Sequence, residues 1–363
     1  MTSEDVYQEL ARFMDTLPQG FPATEAGIEI QLLKMVFEPE EAELFCALKL
    51  TPESAAQIAE RTGRSRESLE GLLGRMGAKG QLAVLPVDGS NRYQLEHWNS
   101  IHDFQVIAFR DEEYARLSDE YLKVLMPKIM AHEQPFLRTV PIESQIADNR
   151  QTMTFNKISS LIEQNQSFGT IDCACRLGKQ LVEEGCDHPL NVCLFFSTEP
   201  EAFGEDSGFT PVSKQEAYEL LRKAEEDGLV HQVSNTVDDQ VFICNCCGCC
   251  CQFLAQINRA DMPDNWSFVN SSYYAEIDPD ECTACGICAD ERCQVGAIRE
   301  EEDVYRVEQR KCIGCGLCTT ECPDEAIQMI MKKPEDLIPP AKDEAEWNEV
   351  RLRARGIEIG EFL

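Results

Sequence analysis

Residues 282–323 read CTACGICADERCQVGAIREEEDVYRVEQRKCIGCGLCTTECP, and this stretch decides the fold of the C-terminal part of the chain. It contains one cysteine pattern twice, about thirty residues apart. Because thiolates at every third residue can surround three corners of a compact metal cluster, the pattern predicts a duplicated cluster-binding unit. The cysteines of this unit are Cys282, Cys285, Cys288, Cys293, Cys312, Cys315, Cys318 and Cys322.

The same stretch resembles a bacterial-type ferredoxin with two [4Fe–4S] clusters, because its second copy reads C-x2-C-x2-C-x3-C-P and ends at Pro323. In that family the fourth ligand of each cluster belongs to the other copy. The resemblance therefore implies one cluster on Cys282, Cys285, Cys288 and Cys322, and a second on Cys312, Cys315, Cys318 and Cys293. A pair of zinc sites is the alternative, and three thiolates at successive x2 spacings disfavour it.

The first copy departs from the ferredoxin pattern in two places. Four residues separate Cys288 from Cys293, and Gln294 stands where proline is usual. We expect the longer loop to shift the reduction potential of the neighbouring cluster without removing a ligand. Small residues such as Gly286 and Gly314 leave room for backbone N–H groups to point at sulfur.

A second set of cysteines precedes this unit. It contains Cys-Ala-Cys-Arg at residues 173–176 and six cysteines within residues 244–251. Free thiols at this density would be an oxidation hazard, which favours metal binding. Adjacent side chains diverge, so the crowded cysteines do not all face one metal. The sequence predicts one or two further iron–sulfur clusters on members of the set Cys173, Cys175, Cys186, Cys193, Cys244, Cys246, Cys247, Cys249, Cys250 and Cys251.

Other interpretations of this second set stay open. They are zinc binding, disulfide formation and free-thiol chemistry. Arg176 is expected to lower the pKa of a neighbouring thiol or to donate a hydrogen bond to a cluster. His188 is a further candidate ligand, although a loop histidine more often makes an ordinary hydrogen bond. Cys46 lies among apolar residues and is expected to be a buried hydrophobe.

Composition and charge restrict the compartment and the partners. The chain has 363 residues, nineteen cysteines and a net charge of −32. It contains no apolar run of the roughly 18 residues that would span a membrane. The first residues are neither basic nor apolar, so we expect no secretion signal and a cytoplasmic, reducing and anaerobic setting. The negative charge disfavours nucleic acid and suits a redox partner with a basic docking surface.

The chain is predicted to be an α+β multidomain protein with four segments. Residues 1–100 resemble a winged helix-turn-helix domain, with a helix over 42–50, a helix over 53–62 that begins at Thr51-Pro52, a helix capped by Ser65, and a hairpin that turns at Asp88-Gly89. Residues 101–270 contain one long helix over 104–129 and a cysteine-rich α/β domain. Strands are predicted in this domain near residues 169–172, 192–196, 229–233 and 241–243, and a helix is predicted to begin at a capping box of Ser213 and Glu216. Residues 271–333 form a βαββαβ dicluster ferredoxin domain. Residues 334–363 form a polar, charged tail, which is expected to be a helix that packs back or a contact for a partner.

The whole chain also resembles a family of anaerobe iron–sulfur proteins of the 4Fe–4S ferredoxin type. The resemblance rests on Phe21-Pro22, the winged-helix segment, the Cys-x-Cys-Arg motif and the run from Ile243 to Cys251. It implies electron transfer and identifies no substrate. The sequence shows neither a glycine-rich dinucleotide fingerprint nor a Walker loop, so nicotinamide, flavin and ATP sites are not evident.

Three functions are consistent with these features. The first is an electron-transfer protein, as a homodimer or as a subunit of a larger anaerobic oxidoreductase. The second is reduction of a small substrate or disulfide at the central cysteines. The third is a redox-sensing transcriptional regulator, which is disfavoured because residues 21–100 are net negative by about four. If the chain does not bind DNA, the winged helix is expected to dock a partner protein or to form a dimer. The sequence identifies no catalytic residue.

Overall fold

The computed structural model describes residues 3–87, 89–132, 134–146, 156–204, 207–260 and 264–358. In these ranges the chain is mixed α/β. The helices are α1 (Ser3–Thr16), α2 (Ile28–Val36), α3 (Pro39–Phe45), α4 (Ala55–Thr62), α5 (Arg66–Ala78), α6 (Trp98–Phe109), α7 (Glu112–Met130), α8 (Ile158–Glu163), α9 (Ala174–Leu181), α10 (Lys214–Glu226), α11 (Leu254–Ala260), α12 (Leu317–Thr320) and α13 (Glu344–Ala354).

The strands form one large sheet and three small ones. They are β1 (Glu53–Ser54), β2 (Leu82–Val87), β3 (Ser90–Leu95), β4 (Leu137–Thr139), β5 (Ser167–Asp172), β6 (Asn191–Ser197), β7 (Thr210–Val212), β8 (Val230–Ser234), β9 (Phe242–Cys246), β10 (Val269–Asn270), β11 (Tyr273–Ile277), β12 (Ile298–Glu301), β13 (Val304–Val307) and β14 (Ile327–Met331). None of the helices in the described ranges is long and apolar enough to cross a membrane.

The chain divides into two compact units. The first comprises Met1–His132, Leu177–Gly185 and Asn348–Leu363, and the second comprises Glu133–Arg176 and Cys186–Trp347. Every cysteine predicted to bind a metal lies in the second unit. The four-segment division of the chain stays a prediction.

The first unit contains the helices α2–α5 and a three-stranded sheet with the order β1-β3-β2. The predicted hairpin is confirmed, because β2 and β3 pair antiparallel from Leu82↔Leu95 to Val87↔Ser90. Its turn residue Asp88 lies outside the described residues. Ser65 caps α5 as predicted, since its hydroxyl accepts a hydrogen bond from the Ser68 nitrogen at 3.3 Å.

Two helix starts in this unit were predicted wrongly. The helix α4 is capped by Ser54 rather than by Thr51-Pro52, because Ser54 and Gln57 form a reciprocal capping box. The preceding residue, Glu53, instead pairs with Tyr93 in the sheet. The helix predicted over 42–50 is α3, which begins at Pro39 behind a capping box of Glu38 and Glu41 and already ends at Phe45.

The long helix predicted over 104–129 is two helices, α6 and α7. Arg110 has a positive φ of 50° and so ends α6 in the left-handed region. Asp111 then caps α7, because its carboxylate accepts a hydrogen bond from the Tyr114 nitrogen at 2.7 Å. Continuous amphipathic periodicity across residues 104–129 concealed this capping residue.

The second unit is built on a seven-stranded sheet with the order β10-β4-β8-β9-β6-β5-β7. Its strands pair antiparallel except β10 with β4. The strands predicted near residues 169–172, 192–196, 229–233 and 241–243 are confirmed as β5, β6, β8 and β9. The capping box of Ser213 and Glu216 at the start of α10 is also confirmed. An apolar core that includes Phe168, Leu194 and Ile243 supports this sheet.

Two small antiparallel sheets follow in the same unit. The outer strands β11 and β14 pair from Tyr273↔Met331 to Ile277↔Ile327, and the inner strands β12 and β13 pair from Ile298↔Val307 to Glu301↔Val304. A single π-turn at Cys288–Arg292 precedes β12, and α12 precedes β14. The helix predicted in the tail is present as α13.

Candidate metal centres

Four cysteines surround the first cavity of the C-terminal segment. Cys282, Cys285, Cys288 and Cys322 line an empty space of about 330 Å³, together with apolar residues such as Ile277 and Ile327. Three of the four come from the first cysteine repeat and Cys322 comes from the second. This is the set that the ferredoxin resemblance implies for one cluster.

Four other cysteines surround the second cavity. Cys293, Cys312, Cys315 and Cys318 line an empty space of about 350 Å³. Here Cys293 is the member from the first repeat. Backbone nitrogens already point at two of these sulfurs, from Ala275 to Cys312 at 3.3 Å and from Ala297 to Cys293 at 3.2 Å. Both cavities therefore offer four cysteines around an apolar space, as a [4Fe–4S] cluster requires, and the second also offers N–H donors.

The protein environment alone holds the thiols of Cys288 and Cys315 in their neutral form. Burial raises the pKa of Cys288 to about 11 and that of Cys315 to about 12, and nearby cysteines add to both shifts. A thiol with such a pKa carries its proton at neutral pH, and a bound metal removes it. The charge of a cluster is thus what would make these residues ligands.

Gly314 allows a close approach of two backbone segments at the second cavity. Its φ is +65°, and a Cβ at this position would overlap the carbonyl oxygen of Tyr273 and the hydroxyl of Ser271. The glycine therefore lets the loop of Cys312 and Cys315 lie directly against the start of β11.

Six of the ten central cysteines form one closed group, here called the six-cysteine ring. Each of its thiols interacts with the thiols of two others of the group. In order around the ring they are Cys173, Cys175, Cys251, Cys246, Cys244 and Cys193. All six are buried or half-buried.

The strands explain which residues enter the ring. The strands β6 and β9 pair at Leu194↔Ile243, which brings Cys193 close to Cys244. Alternation along β9 then places Cys244 and Cys246 on the same face. Cys173 follows the last residue of β5, and Cys175 lies in the first turn of α9.

The other four central cysteines form a second group, here called the four-cysteine group. The sulfurs of Cys186, Cys247, Cys249 and Cys250 all lie within 4.8 Å of one another. Those of Cys186 and Cys247 are 4.0 Å apart. Cysteines adjacent in sequence therefore belong to different groups. Cys246 and Cys251 belong to the ring, whereas Cys247 and Cys250 belong to the four-cysteine group.

Contacts between sulfurs divide the ring thiols into two kinds. Hydrogen bonds from Cys175 and Cys193 hold the pKa of Cys173 well below its usual value, and those from Cys193 and Cys246 lower the pKa of Cys244 to about 6. The donors respond in the opposite direction, so the pKa of Cys193 is raised well above its usual value. Low and high pKa values alternate around the ring, and the low pKa of Cys244 favours its thiolate at neutral pH.

A buried arginine compensates this negative charge. Arg176 has no exposed surface, and it donates hydrogen bonds to the carbonyl oxygens of Pro189 at 2.7 Å and Asn245 at 2.5 Å. Burial alone would lower its pKa, but the thiolates of Cys173 and Cys247 raise it. Hydrogen bonding from Cys250, with a smaller effect of Arg176, lowers the pKa of Cys247 to about 4. The predicted influence of Arg176 on a neighbouring thiol is confirmed.

Polar side chains that the sequence did not single out also lie beside the ring. Gln232 is fully buried, its Oε1 lies 4.0 Å from the sulfur of Cys251, and its Nε2 has no hydrogen-bond partner among the described residues. Asn245 is held by His231 at 2.6 Å and by the carbonyl of Val192 at 2.5 Å. The alternation of polar residues with cysteines in β9 was the available signal for Asn245.

The irregular part of the first ferredoxin repeat contacts the central cysteine loop. The Oε1 of Gln294 accepts a hydrogen bond from the Gly248 nitrogen at 2.7 Å, and the Asn258 amide donates to the carbonyls of Gly248 and Gln294 at 3.0 and 2.8 Å. Arg292 donates to the carbonyls of Glu225 at 2.7 Å and Glu226 at 3.0 Å, at the end of α10. The first repeat therefore departs from the ferredoxin pattern at the residues that contact the rest of the second unit. Gln294, which replaces the usual proline, and Arg292, in the longer loop, make these contacts.

The two remaining candidates belong to neither group. His188 is not a member of the four-cysteine group, although Cys186 is. Cys46 lies in the first unit and is half-buried rather than fully buried. Burial raises the pKa of its thiol to about 12.

Comparisons with known proteins concern the C-terminal segment. Residues 305–328 match the 4Fe-4S binding domain family. A stretch of 48 residues is 42% identical to one subunit of the ion-translocating oxidoreductase complex of Methanosarcina acetivorans, and it covers 13% of this chain and 18% of that relative. No solved structure matches the chain. The chain therefore contains a ferredoxin-type 4Fe–4S binding domain, which supports iron–sulfur electron transfer.

Proposed function

We propose that this chain is an iron–sulfur electron-transfer protein with two [4Fe–4S] clusters in its C-terminal segment. The observation that carries the proposal is the pair of cavities, each lined by four cysteines of which one comes from the other repeat. A bound cluster supplies one-electron chemistry at a potential that the surrounding protein tunes. The ligand sets are Cys282, Cys285, Cys288 and Cys322 for one cluster, and Cys293, Cys312, Cys315 and Cys318 for the other.

The residues around the cavities perform the remaining tasks of such a centre. Apolar side chains such as Ile277, Ile313 and Ile327 exclude water from the sulfurs. The backbone nitrogens of Ala275 and Ala297 donate hydrogen bonds to ligand sulfurs, and such bonds stabilise the reduced, more negative state. Each cavity takes three ligands from one repeat and one from the other, so binding of either cluster cross-links the two repeats.

We extend the proposal to a third iron–sulfur centre in the six-cysteine ring. Six thiols that share thiolate charge around a buried arginine fit a positively charged metal core. The unpartnered N–H of Gln232 fits as well, because the sulfides of a cluster accept hydrogen bonds. The contact from Gln294 to Gly248 then provides a short route between Cys293 and the central cysteines.

The first test is the iron and acid-labile sulfide content of anaerobically purified protein, with electron paramagnetic resonance (EPR) of the reduced sample. Two cubanes account for about eight irons per chain, and a third centre raises the count above eight. The variant Cys315→Ser should lose or alter one cubane signal, Cys175→Ser should lower only the excess iron, and Cys46→Ser should change neither. A count of about eight would refute the third centre, and a count near zero in freshly isolated protein would refute the whole proposal.

The partner proposed for this carrier is a redox protein with a basic docking surface. The net charge of −32 favours such a partner. The relative from Methanosarcina acetivorans is named as a subunit of an oxidoreductase complex, and we propose that this chain likewise works in a larger assembly. We propose that the chain works in the reducing cytoplasm of an anaerobe, where its nineteen cysteines stay reduced.

The helices α2–α5 with the β2–β3 hairpin are proposed to be a winged-helix element that docks protein rather than DNA. Each cation between residues 61 and 79 is already paired with a carboxylate, which leaves little positive charge for phosphates. The pairs are Arg61–Glu53, Arg64–Glu43, Arg66–Glu70, Arg75–Glu40 and Lys79–Glu41. This pairing counts against the transcriptional regulator, and retention of the protein on a DNA column would contradict our interpretation.

Reduction of protein disulfides at the central cysteines is also disfavoured. A thiol attacks a disulfide only when its sulfur is accessible to the substrate. All members of the six-cysteine ring are buried or half-buried, and of the ten central cysteines, each within the described part of the chain, only Cys249 is exposed. The burial of the ring favours electron transfer through a bound centre over direct thiol exchange.

A further inference from the structure

The four-cysteine group and the six-cysteine ring pack in one buried cluster, but they make separate sets of sulfur contacts. Its thiols contact one another, because Cys247 and Cys250 share a hydrogen bond and Cys249 contacts Cys186. The ring thiols likewise contact members of the ring. The ten central cysteines therefore make two binding sites of different size.

The spacing of the four sulfurs suits a single metal ion. All four sulfurs lie within 4.8 Å of one another, and Cys186 and Cys247 are 4.0 Å apart. A tetrahedral ion with metal–sulfur bonds of about 2.3 Å separates its sulfurs by about 3.8 Å. A cubane places four irons and four sulfides between its thiolates and needs a wider opening. Among the described residues, the cysteines of the two C-terminal sets form no such close group of sulfurs.

We propose that Cys186, Cys247, Cys249 and Cys250 bind one tetrahedral zinc ion. Four thiolates complete the coordination of zinc and leave no position open for substrate, as in structural zinc sites. Binding exchanges the thiol protons for the metal, which leaves a tetrathiolate centre of net charge −2. The buried guanidinium of Arg176 beside Cys247 offsets part of this charge.

The proposed ion joins two distant parts of the chain. Cys186 lies in the loop before β6, and the other three ligands lie in the turn after β9, where Gly248 is held by Gln294. A zinc ion there cross-links these two parts of the chain. In each part, cysteines of the six-cysteine ring both precede and follow the zinc ligands in the sequence. Its role is therefore to set the geometry of the redox site, and it transfers no electron itself because zinc has no redox chemistry in proteins.

The test uses the full chain, purified anaerobically without chelator, and does not depend on the cluster proposal. X-ray absorption at the zinc edge of the wild-type protein should show one zinc per chain with four sulfur neighbours at about 2.3 Å. The variants Cys186→Ser and Cys249→Ser should lose most of the zinc and keep the iron. The matched controls Cys46→Ser and Cys315→Ser should keep the zinc, although Cys315→Ser should lose iron.

Three results would overturn the assignment. They are wild-type protein without zinc, nitrogen or oxygen neighbours around the zinc, and loss of iron rather than zinc from Cys249→Ser. The absorption spectrum is recorded on wild-type protein, so a variant that fails to fold does not affect it. Wild-type protein that contains zinc but no iron would instead contradict the electron-transfer proposal alone.

Discussion

Gln294 accepts a hydrogen bond from the backbone nitrogen of Gly248 at 2.7 Å, and this bond connects the residue after a ferredoxin-type cysteine to the centre of the cysteine loop 247–250. The fit is close, because a Cβ on Gly248 would overlap the carbonyl oxygen of Gln294. A proline at position 294, as in the usual ferredoxin pattern, could not accept this bond through its side chain. The departure from the pattern thus couples two cysteine-rich regions.

Removing this acceptor should destabilise the second unit. The Gly248 nitrogen is buried, so Gln294→Ala leaves an unpaired donor and should lower the free energy of unfolding by about 1–3 kcal/mol. The control Gln309→Ala makes the same chemical change at an exposed position and should cost less than about 0.5 kcal/mol. Anaerobic denaturant titration followed by circular dichroism measures both. Equal midpoints for the two variants would contradict the role of Gln294.

Two glycines with positive φ should respond differently to alanine. Gly314→Ala introduces both backbone strain and an overlap with the carbonyl of Tyr273, so it should prevent assembly of the cluster bound by Cys312 and Cys315. Gly296 has a φ of +58° and nothing within 4 Å of an added Cβ, so Gly296→Ala should cost only about 1–2 kcal/mol and keep the iron. Iron analysis distinguishes them. Full iron content in Gly314→Ala would refute the predicted overlap.

The crossed ligand sets make a spectroscopic prediction. Cys293→Ser should change the same EPR signal as Cys315→Ser, although Cys293 belongs to the other repeat, because both line one cavity. Cys322→Ser should likewise resemble Cys285→Ser. In such a variant either a serine oxygen replaces the cysteine sulfur as ligand, or the cluster loses the iron at that corner. In both cases the reduction potential of the affected cluster changes. If Cys293→Ser instead matched Cys285→Ser, each repeat would bind its own cluster.

The first unit should lose stability in acid. Burial lowers the pKa of both His97 and His102 to about 4, so the folded unit keeps these rings neutral. Between about pH 6.5 and pH 4 the unfolded chain binds more protons than the folded chain, and stability therefore falls as the pH falls. The loss reaches about 3 kcal/mol for each ring. His102→Gln should reduce the pH dependence of the denaturant midpoint, because one of the rings kept neutral is removed, and an unchanged slope would contradict this assignment.

Local signals allowed correct prediction of several elements. The capping box of α10, the β2–β3 hairpin and strands such as β5 and β6 depend on neighbours in sequence, and they were found. The predicted cap at Thr51-Pro52 failed because the chain pairs Glu53 with Tyr93 in a sheet, a contact about forty residues away. The break between α6 and α7 was missed because Asp111 looks like any exposed helix residue until its cap contact is seen.

For the candidate centres, the sequence by itself determined the C-terminal cysteine spacing and its duplication, because three ligands of each cavity lie within one short loop. Only the tertiary structure decided how the ten central cysteines divide. The pairing of β6 with β9 and the turn after β9 send Cys246 and Cys247 to different groups, and residues fifty or more apart meet in each group. Such partners are chosen by sheet register and loop packing, which depend on contacts across the whole unit and which no local spacing records.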